Sequence, residues 1–231
     1  MISESMTQRV ETLRTIVSKG DNCDQELIDS ILTELESHRE ALQPEEKDEP
    51  FLLVDRSGGS RSVIAPRWLC HLLGLRHRAV HILIRWESPG LGSTAILQVR
   101  SWDKIEYPGH LDLSATGHSQ LHDQSGLSAA YRELKEELGL SRIDLDKNGL
   151  HHVAAYENTD SIPGRLFLNV EWRDLYEGIL NTNALTSLRF NDREVIALFL
   201  CPIVHAHHLL QQSAIPLAES LRRSLPVMLY R

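Results

Sequence analysis

The chain has 231 residues, of which 42% are hydrophobic and 24% are charged, a composition typical of one large globular domain or one domain with an appendage. Its formal net charge of −8 argues against a broad basic surface for nucleic acid or anionic membranes. No apolar run approaches the roughly 18 residues of a membrane span, and the polar start lacks a signal-peptide core. We therefore expect a cytoplasmic protein with neither nucleic-acid nor membrane partners.

The three cysteines, Cys23, Cys70 and Cys201, are odd in number and far apart. Their spacing predicts neither a disulfide framework nor a Cys-x-x-Cys metal site.

Residues 1–43 predict a helical hairpin. Apolar residues recur at helical spacing from Val10 to Val17, and Lys19-Gly20 is a helix stop. A second apolar stripe begins at Leu27 and ends near Leu42. The hairpin either forms a homodimer with a second copy or covers a hydrophobic patch of its own chain. Residues 44–50 contain two prolines and no apolar periodicity, so we expect a linker there, followed by one domain over 51–231.

The main domain mixes strands and helices without strict alternation. Strands are predicted at 51–55, 61–64, 77–86, 95–101, 153–156, 166–172 and 195–200. Helices are predicted at 66–73, 127–138, 205–212 and 217–224, and a polar loop at 103–124. This succession predicts an α+β fold or a three-layer α/β/α sandwich with a mixed β-sheet.

The segment from Arg132 to Leu140, RELKEELGL, is the most informative part of the sequence. Residues three and four apart share a helix face, so Glu133, Glu136 and Glu137 converge. Three carboxylates repel one another unless a cation lies between them, and Mg²⁺ or Mn²⁺ prefers oxygen ligands. Arg132 is placed to orient one of the carboxylates. The opposite helix face is predicted to pack on a core through Leu127, Ala130, Leu134 and Leu138.

This string resembles the second half of the Nudix box, which reads Arg-Glu, an aliphatic residue, any residue, Glu-Glu, any residue, Gly and an aliphatic residue. The glycine that begins the family's box matches Gly117, with one residue more before Arg132 than the family has. The box's upstream glutamate is missing, and Asp123 or Gln124 stands in its place.

The resemblance implies a Nudix-type sandwich and an Mg²⁺- or Mn²⁺-dependent pyrophosphohydrolase. Its implied metal ligands are Glu133, Glu136 and Glu137, with the Gly117 carbonyl as an addition. The three glutamates and Arg132 are also implied in catalysis.

Further similarity points to one branch of the superfamily, which contains isopentenyl diphosphate isomerase and hydrolase-like relatives. It lies in the segments 75–80, 97–100 and 107–109 and at Lys104, and the whole match covers roughly 51–213. The isomerases use a cysteine two residues before a metal-binding histidine, and here Thr116 precedes His118 in that arrangement. A threonine hydroxyl has no accessible anion near neutral pH, which favours hydrolase chemistry.

The same branch implies substrate and base residues. Arg100 and Lys104 match positions that hold the diphosphate, and the alternative is two ordinary surface cations. Glu194, just before a predicted strand, is a candidate general base, and the alternative is an exposed acid at a strand edge.

The histidines carry a separate expectation. His77 and His118 match metal-binding histidines of the isomerases, and His71 lies one residue out of register with a third. Structural hydrogen bonding is favoured over a second metal site here. The group His205, His207 and His208 is expected on a solvated helix face.

The predicted function is hydrolysis of a diphosphate linkage in a nucleoside diphosphate-X or similar compound, with a small phosphorylated molecule as the partner. The first alternative is an isopentenyl diphosphate isomerase-type enzyme. The second is a non-catalytic Nudix module that binds a phosphorylated ligand, which the missing box glutamate and the N-terminal hairpin favour. Loops 87–93 and 157–165 are expected to recognise the rest of the substrate.

Overall fold

The computed structural model describes residues 3–19, 24–43, 49–190 and 193–229. The predicted helix stop at Gly20, the residue Cys23 and most of the predicted linker lie outside these residues. The chain divides into two compact units. Unit 1 comprises Met1–Ala79, His118–His122 and Tyr156–Arg173, and unit 2 comprises Val80–Gly117, Asp123–Ala155 and Asp174–Arg231. Within the described ranges, every helix is too short or too polar to cross a membrane.

Unit 1 begins with the predicted helices. Helix α1 is Glu4–Lys19, and α2 is Gln25–Leu35, whose N-terminus is capped by the Asp24 side chain accepting from the Leu27 amide at 2.9 Å. The second predicted helix reaches Leu42 as expected, but a 3₁₀ turn at Glu36–His38 separates α2 from α3 (Arg39–Leu42).

The apolar stripes of α1 and α2 are buried inside their own chain. They pack in one cluster with the buried face of α4 (Arg67–Leu73). The Arg14 Nε also donates to the Leu72 carbonyl at 2.8 Å. Of the two predicted roles for the hairpin, this packing supports coverage of a hydrophobic patch. The stripe residues are Val10, Leu13, Val17, Ile28, Ile31 and Leu35.

The predicted β-hairpin of unit 1 is present. Strands β1 (Pro50–Val54) and β2 (Ser60–Pro66) pair antiparallel, with Leu52 opposite Ile64. Leu53 then pairs with His77, the first residue of β3 (His77–Ser88). The connection from α4 to β3 passes through Gly74, whose left-handed φ of 70° ends the helix.

Unit 2 is organised around β4 (Gly92–Arg100). One edge of β4 pairs with β9 (Val195–Pro202) from Thr94 to Arg100. The other edge pairs first with β3 and then with β5 (Leu111–Asp112). All strand pairings whose register is described are antiparallel, and the parallel contact among the described bridges joins Leu111 to Leu217.

The remaining strands are β6 (Ala115–His118), β7 (His151–Ser161) and β8 (Leu168–Leu180). β6 and β8 pair with β3, and β7 pairs with β8. The prediction of a continuous loop over 103–124 was wrong, because β5 and β6 lie within it. Both are short and carry polar residues, so they lack the apolar alternation by which longer strands are predicted.

Three α-helices lie in the described part of unit 2, namely α5 (Gly126–Leu138), α6 (Ala206–Gln212) and α7 (Glu219–Leu229). The apolar face of α5 packs on residues of β3 and β4 in a single core cluster. On α6, His207 and His208 are exposed, as expected from the sequence. The α+β class predicted from the sequence is confirmed.

Candidate active site

Helix α5 is held at both ends by local sequence. The Ser125 side chain accepts from the Ser128 amide at 3.1 Å, and the Ser128 hydroxyl in turn accepts from the Ser125 amide at 2.9 Å. Such a capping box satisfies amide groups that the first helical turn leaves unpaired. At the other end Gly139 has a φ of 70°, a left-handed conformation that favours glycine.

The buried face of α5 differs at one position from the prediction. Ala130, Leu134 and Leu138 are buried as expected. Leu127 is 38% exposed, so its predicted place in the core was wrong, and Ala129 is buried on that face. Leu127 lies in the first helical turn, where Gly126 is the buried residue.

The three helix glutamates, here called the carboxylate cluster (Glu133, Glu136 and Glu137), do not share one environment. Glu133 and Glu137 are buried, whereas the Glu136 side chain is 54% exposed. Gly117 lies directly against Glu133, because a Cβ at position 117 would overlap the Glu133 carboxyl group. The glycine therefore permits a close approach of backbone to carboxylate, and the Gly117 backbone lies beside that acid.

Glu137 is surrounded by donors from unit 2. Its Oε2 accepts from the Gln98 Nε2 at 2.8 Å and from the Thr116 amide at 3.1 Å. The Lys104 Nζ lies 3.7 Å from its Oε1. Burial raises the pKa of Glu137 to about 7 even though Lys104 and Arg100 act in the opposite direction.

Arg132 joins the carboxylate cluster to the loop before α5. Its guanidinium donates to Glu133 at 2.7 Å and to Glu136 at 3.1 Å. It also donates to both carboxylate oxygens of Asp123, at 3.2 and 2.9 Å. Of the two residues considered as replacements for the missing box glutamate, Asp123 is the one that contacts Arg132 in this way.

The buried carboxylates lack sufficient compensating charge. Burial, together with repulsion from Glu137, raises the pKa of Glu133 to about 8 despite its contact with Arg132. The Oε1 of Gln98, beside Glu137, is buried and accepts no hydrogen bond from the described residues. A divalent cation would supply the missing charge, and carboxylate, amide and backbone carbonyl oxygens are suitable ligands for Mg²⁺ or Mn²⁺. The residues present therefore fit the metal that the resemblance implies.

Two of the three predicted substrate and base residues, Lys104 and Glu194, lie beside Glu137. Lys104 forms ion pairs with Glu194 and with Glu137, so these three residues are brought together. Arg100 is buried, where its guanidinium donates to Asp112 at 3.1 Å and to the Glu106 carbonyl at 3.0 Å. Through these bonds Arg100 holds the loop that follows β4 in place. Its positive charge lowers the pKa of Glu137, against the effect of burial.

The sequence did not predict Gln98 or the Thr116 amide as hydrogen-bond donors to Glu137. The Thr116 amide carries no side-chain signal. Gln98 stands two residues before Arg100 on β4, on the same strand face, and is a fully buried amide within an apolar strand. A polar residue in such a strand was the available signal for a contact with a buried acid.

A second group of titratable residues, the histidine cluster (His71, His77 and His118), lies in unit 1. One ring nitrogen of each histidine lies within 4.8 Å of those of the other two. Phe51 stacks against His77 and His118, with ring centroids 4.7 and 4.5 Å away. His71, one residue out of the expected register, therefore still joins the other two.

Hydrogen bonds orient two of these rings. The His77 Nδ1 bonds the Leu75 carbonyl at 2.8 Å, which makes Nδ1 the protonated nitrogen, and the buried Nε2 has no hydrogen-bond partner among the described residues. The His118 Nε2 lies 3.0 Å from Glu171. Burial lowers the pKa of His118, and it lowers that of His77 well below its ordinary value. Neutral imidazoles with fixed tautomers fit a nitrogen-ligated divalent ion as well as structural hydrogen bonding.

Glu171 also accepts hydrogen bonds from other side chains of unit 1. It accepts from Asn169 at 2.9 Å and, through its other oxygen, from Arg173 at 2.6 Å. Arg173 also donates to Asp160 at 2.6 Å. Glu171 therefore positions His118 while its own charge is compensated by Arg173.

The chain is similar in sequence to known proteins. Over 156 residues the chain is 35% identical to Nudix hydrolase 3 of Arabidopsis thaliana, an alignment covering 67% of this chain but only 19% of that protein. Over 137 residues it is 32% identical to the isopentenyl-diphosphate Delta-isomerase of Serratia proteamaculans, covering 58% of this chain and 68% of that protein. No protein-family model matches the chain.

A solved structure shares the fold. DR0079 from Deinococcus radiodurans aligns with a TM-score of 0.55 and 19% identity, covering 79% of this chain and 100% of that one. The sequence relatives carry Nudix or Nudix-related names, and the one from Serratia is aligned over two thirds of its length. Together with the arginine-anchored glutamates of α5 and the glycine beside them, this shows that the chain belongs to the Nudix superfamily.

Proposed function

We propose that the chain is a metal-dependent hydrolase that cleaves a diphosphate linkage in a nucleoside diphosphate-X or a similar small molecule. The observation that carries this proposal is the burial of Glu133 and Glu137 on α5 with the Gly117 backbone directly against Glu133. Two buried acids so close together destabilise the fold unless a cation compensates them. Arrangements of this cost are typical of functional sites.

The cofactor in this proposal is Mg²⁺ or Mn²⁺, held by Glu133, Glu136 and Glu137 with the Gly117 carbonyl. When bound, such an ion lowers the pKa of an attacking water and neutralises charge on phosphate oxygens. Arg132 contributes by holding the Glu133 and Glu136 carboxylates in place while Asp123 fixes the guanidinium.

Lys104 and Glu194 supply binding and proton transfer. In the structure the Lys104 ammonium pairs with both Glu194 and Glu137. A substrate phosphate offers Lys104 a stronger anionic partner, so the ammonium turns toward it and leaves Glu194 free to accept a proton from water. This assigns Lys104 to phosphate binding and Glu194 to general-base catalysis, with Arg100 contributing positive charge from its buried position.

An isomerase is the second candidate, because the relative from Serratia is named as one. That chemistry needs a proton donor and acceptor at carbon, and Thr116 holds the position of the isomerase cysteine. Its side chain is a hydroxyl, and its amide already serves Glu137. Hydrolysis of a phosphoanhydride makes no demand on this position, so the structure favours the hydrolase.

A substrate panel tests the proposal. The full chain is incubated with Mg²⁺ or Mn²⁺ and a set of nucleoside diphosphate sugars, dinucleoside polyphosphates and alkyl diphosphates, and products are followed by ³¹P NMR. Metal-dependent release from at least one class is expected, with none from Glu137→Gln. Absence of release across the panel, with tight binding of one member, would establish a binding module. Solvent deuterium exchange into isopentenyl diphosphate would establish the isomerase.

A further inference from the structure

The two oxygens of the Glu137 carboxylate have different surroundings. Oε2 accepts hydrogen bonds from the Gln98 Nε2 at 2.8 Å and from the Thr116 amide at 3.1 Å. The contact to Oε1 is of another kind, because the Lys104 Nζ lies 3.7 Å away, an ion-pair distance that is too long for a hydrogen bond. Among the described residues, the hydrogen bonds to this carboxylate therefore all go to Oε2.

The occupancy of Oε2 determines how Glu137 can bind a cation. A carboxylate oxygen has two lone pairs, with which it accepts hydrogen bonds or binds a metal ion. The side-chain amide of Gln98 and the backbone amide of Thr116 occupy both lone pairs of Oε2, so Oε1 is the oxygen available for an ion. We propose that Gln98 is a specificity-determining residue for the cation, because it restricts Glu137 to binding through one oxygen and so favours Mg²⁺ over Ca²⁺. This inference rests on the metal-dependent function proposed above.

The number of oxygens that one carboxylate offers separates these two cations. Ca²⁺ takes about six to eight oxygen ligands and often binds both oxygens of one carboxylate. Mg²⁺ is smaller and requires near-ideal octahedral geometry, in which both oxygens of one carboxylate lie too close together to fill two positions. A carboxylate that offers a single oxygen therefore suits Mg²⁺, whereas Ca²⁺ has one ligand fewer at such a site.

The Gln98 side chain makes this contact at a cost to the fold. It is fully buried, and its Oε1 has no hydrogen-bond partner among the described residues. A buried amide oxygen without a donor destabilises a protein. The reverse orientation of the amide gives no relief, because it would place two acceptors, the Gln98 Oε1 and the Glu137 Oε2, against each other. An apolar side chain of the same length would avoid this cost, so the hydrogen bond to Glu137 is what the glutamine supplies.

Gln98 is also the donor to Oε2 that depends on the type of side chain. The Thr116 donor is a backbone amide, which a substitution at position 116 leaves in place unless proline is introduced. A substitution at position 98 removes the other donor and frees one lone pair of Oε2. Glu137 could then bind an ion through both oxygens, which strengthens the binding of Ca²⁺ relative to that of Mg²⁺.

Cation competition on the full chain tests this proposal. Bound Mn²⁺ is followed through the electron paramagnetic resonance signal of the free ion, and Mg²⁺ and Ca²⁺ are each titrated to displace it. Gln98→Met keeps the length of the side chain but has no N–H donor. We expect the ratio of Mg²⁺ to Ca²⁺ affinity to fall by about tenfold, in the range of one hydrogen bond to a charged group. Gln98→Asn, whose amide is one carbon too short to reach Oε2, should show the same fall while keeping a polar side chain if Gln98→Met does not fold.

Two further variants separate the possible outcomes. Thr94→Val is the matched control, since Thr94 is fully buried on the same strand and its hydroxyl donates to the Gly92 carbonyl at 2.9 Å. This variant should keep the affinity ratio of the wild type. An unchanged ratio in the folded Gln98 variants, with Mn²⁺ still bound, would overturn the role of Gln98 and leave the proposed hydrolase intact. Full retention of Mn²⁺ by Glu137→Gln would instead show that the ion binds elsewhere and would overturn the proposed metal site together with this inference.

Discussion

The carboxylate cluster and the histidine cluster are both buried groups of titratable side chains, but they are built in different ways. The carboxylate cluster comes from one turn of a single helix, and it is contacted by Arg132 of that helix and by Lys104 from the segment after β4. The histidine cluster comes from α4, β3 and β6, and aromatic rings surround it. One cluster is therefore a set of buried acids that a cation would stabilise, and the other is a set of rings that burial keeps neutral.

This difference predicts opposite electrostatic behaviour. In the carboxylate cluster burial favours the protonated, neutral form and raises the pKa values of Glu133 and Glu137. In the histidine cluster burial also favours the neutral form, and this lowers the pKa values of His77 and His118. The same desolvation thus makes one cluster avid for cations and makes the other resist protonation.

Removal of one charge from the carboxylate cluster should have the largest effect on activity. Glu137→Gln keeps the shape of the side chain but removes the charge of a proposed metal ligand, and we expect turnover of the best panel substrate to fall by about 10³-fold. Glu136→Gln should have a smaller effect, because that side chain is half exposed and contacts Arg132 alone among the described hydrogen bonds. Steady-state rates with Mn²⁺ give the comparison.

A control variant in the histidine cluster tests whether the loss of turnover is specific to the carboxylate cluster. His77→Gln changes a buried polar residue of unit 1 without touching α5. If it lowers turnover as much as Glu137→Gln while the protein remains folded by circular dichroism, then the two clusters act together in catalysis. The assignment of the reaction to the helix alone would then be wrong.

Gly117→Ala should produce the second largest effect. The added Cβ overlaps the Glu133 carboxyl group, so the acid must move away from the backbone and lose the position proposed for metal binding. We expect about a 100-fold loss of turnover, since misplacement of a reacting group by about 1 Å has an effect of that order. Gly90→Ala, where a Cβ has no neighbour within 4 Å, is the matched control. Wild-type activity in Gly117→Ala would contradict the place given to Glu133.

The pH dependence of stability should separate the clusters by its sign. In the unfolded metal-free chain carboxyl groups ionise above about pH 4.3, whereas the folded Glu133 keeps its proton up to about 8. The unfolding free energy therefore falls as pH rises through this window. For His77 the unfolded ring takes up a proton below about pH 6.5 and the folded ring does not, so the unfolding free energy falls as pH decreases. Each group contributes a slope of at most about 1.4 kcal/mol per pH unit.

Urea unfolding of metal-free protein between pH 5 and 8.5 measures both limbs. Glu133→Gln should make the slope of stability against pH more positive over the whole range below about pH 8, so that the curve flattens above pH 6.5. His77→Gln should change the slope below about pH 6.5 alone and make it more negative there, with the exposed His207→Gln as a control. Addition of Mn²⁺ should restore stability most at the alkaline end, because the metal binds the ionised carboxylates. A variant that changes the slope with the opposite sign would invalidate the comparison.

The two clusters also mark the limit of what the sequence could predict. The carboxylates were found because helical periodicity brings residues three and four apart together within one segment. His77 and His118 meet because β6 pairs with β3, and His71 joins them from α4. No local spacing encodes this, and only the family resemblance pointed to these histidines. Leu127 was misplaced for a related reason, since periodicity gives the direction of a face but not where the core begins. Gln98 is invisible to any spacing rule because its partner, Glu137, lies far away in the sequence.

The smallest effect is expected at Asp123, where the chain departs from the Nudix box. Asp123 accepts two hydrogen bonds from Arg132, which in turn holds Glu133 and Glu136. Asp123→Asn removes the charge but leaves an acceptor, so Arg132 loses part of its anchor and turnover should fall by about fivefold, in the range of a charged hydrogen bond weakened to a neutral one. Gln124→Ala, at the other candidate position, should leave turnover unchanged. Asp123→Glu restores the family's residue one position out of register with Arg132. A rate at or above that of the wild type would show that a carboxylate is sufficient at this position. A loss equal to that of Asp123→Asn would show that the shorter side chain is required, because the inserted residue has moved the loop toward Arg132.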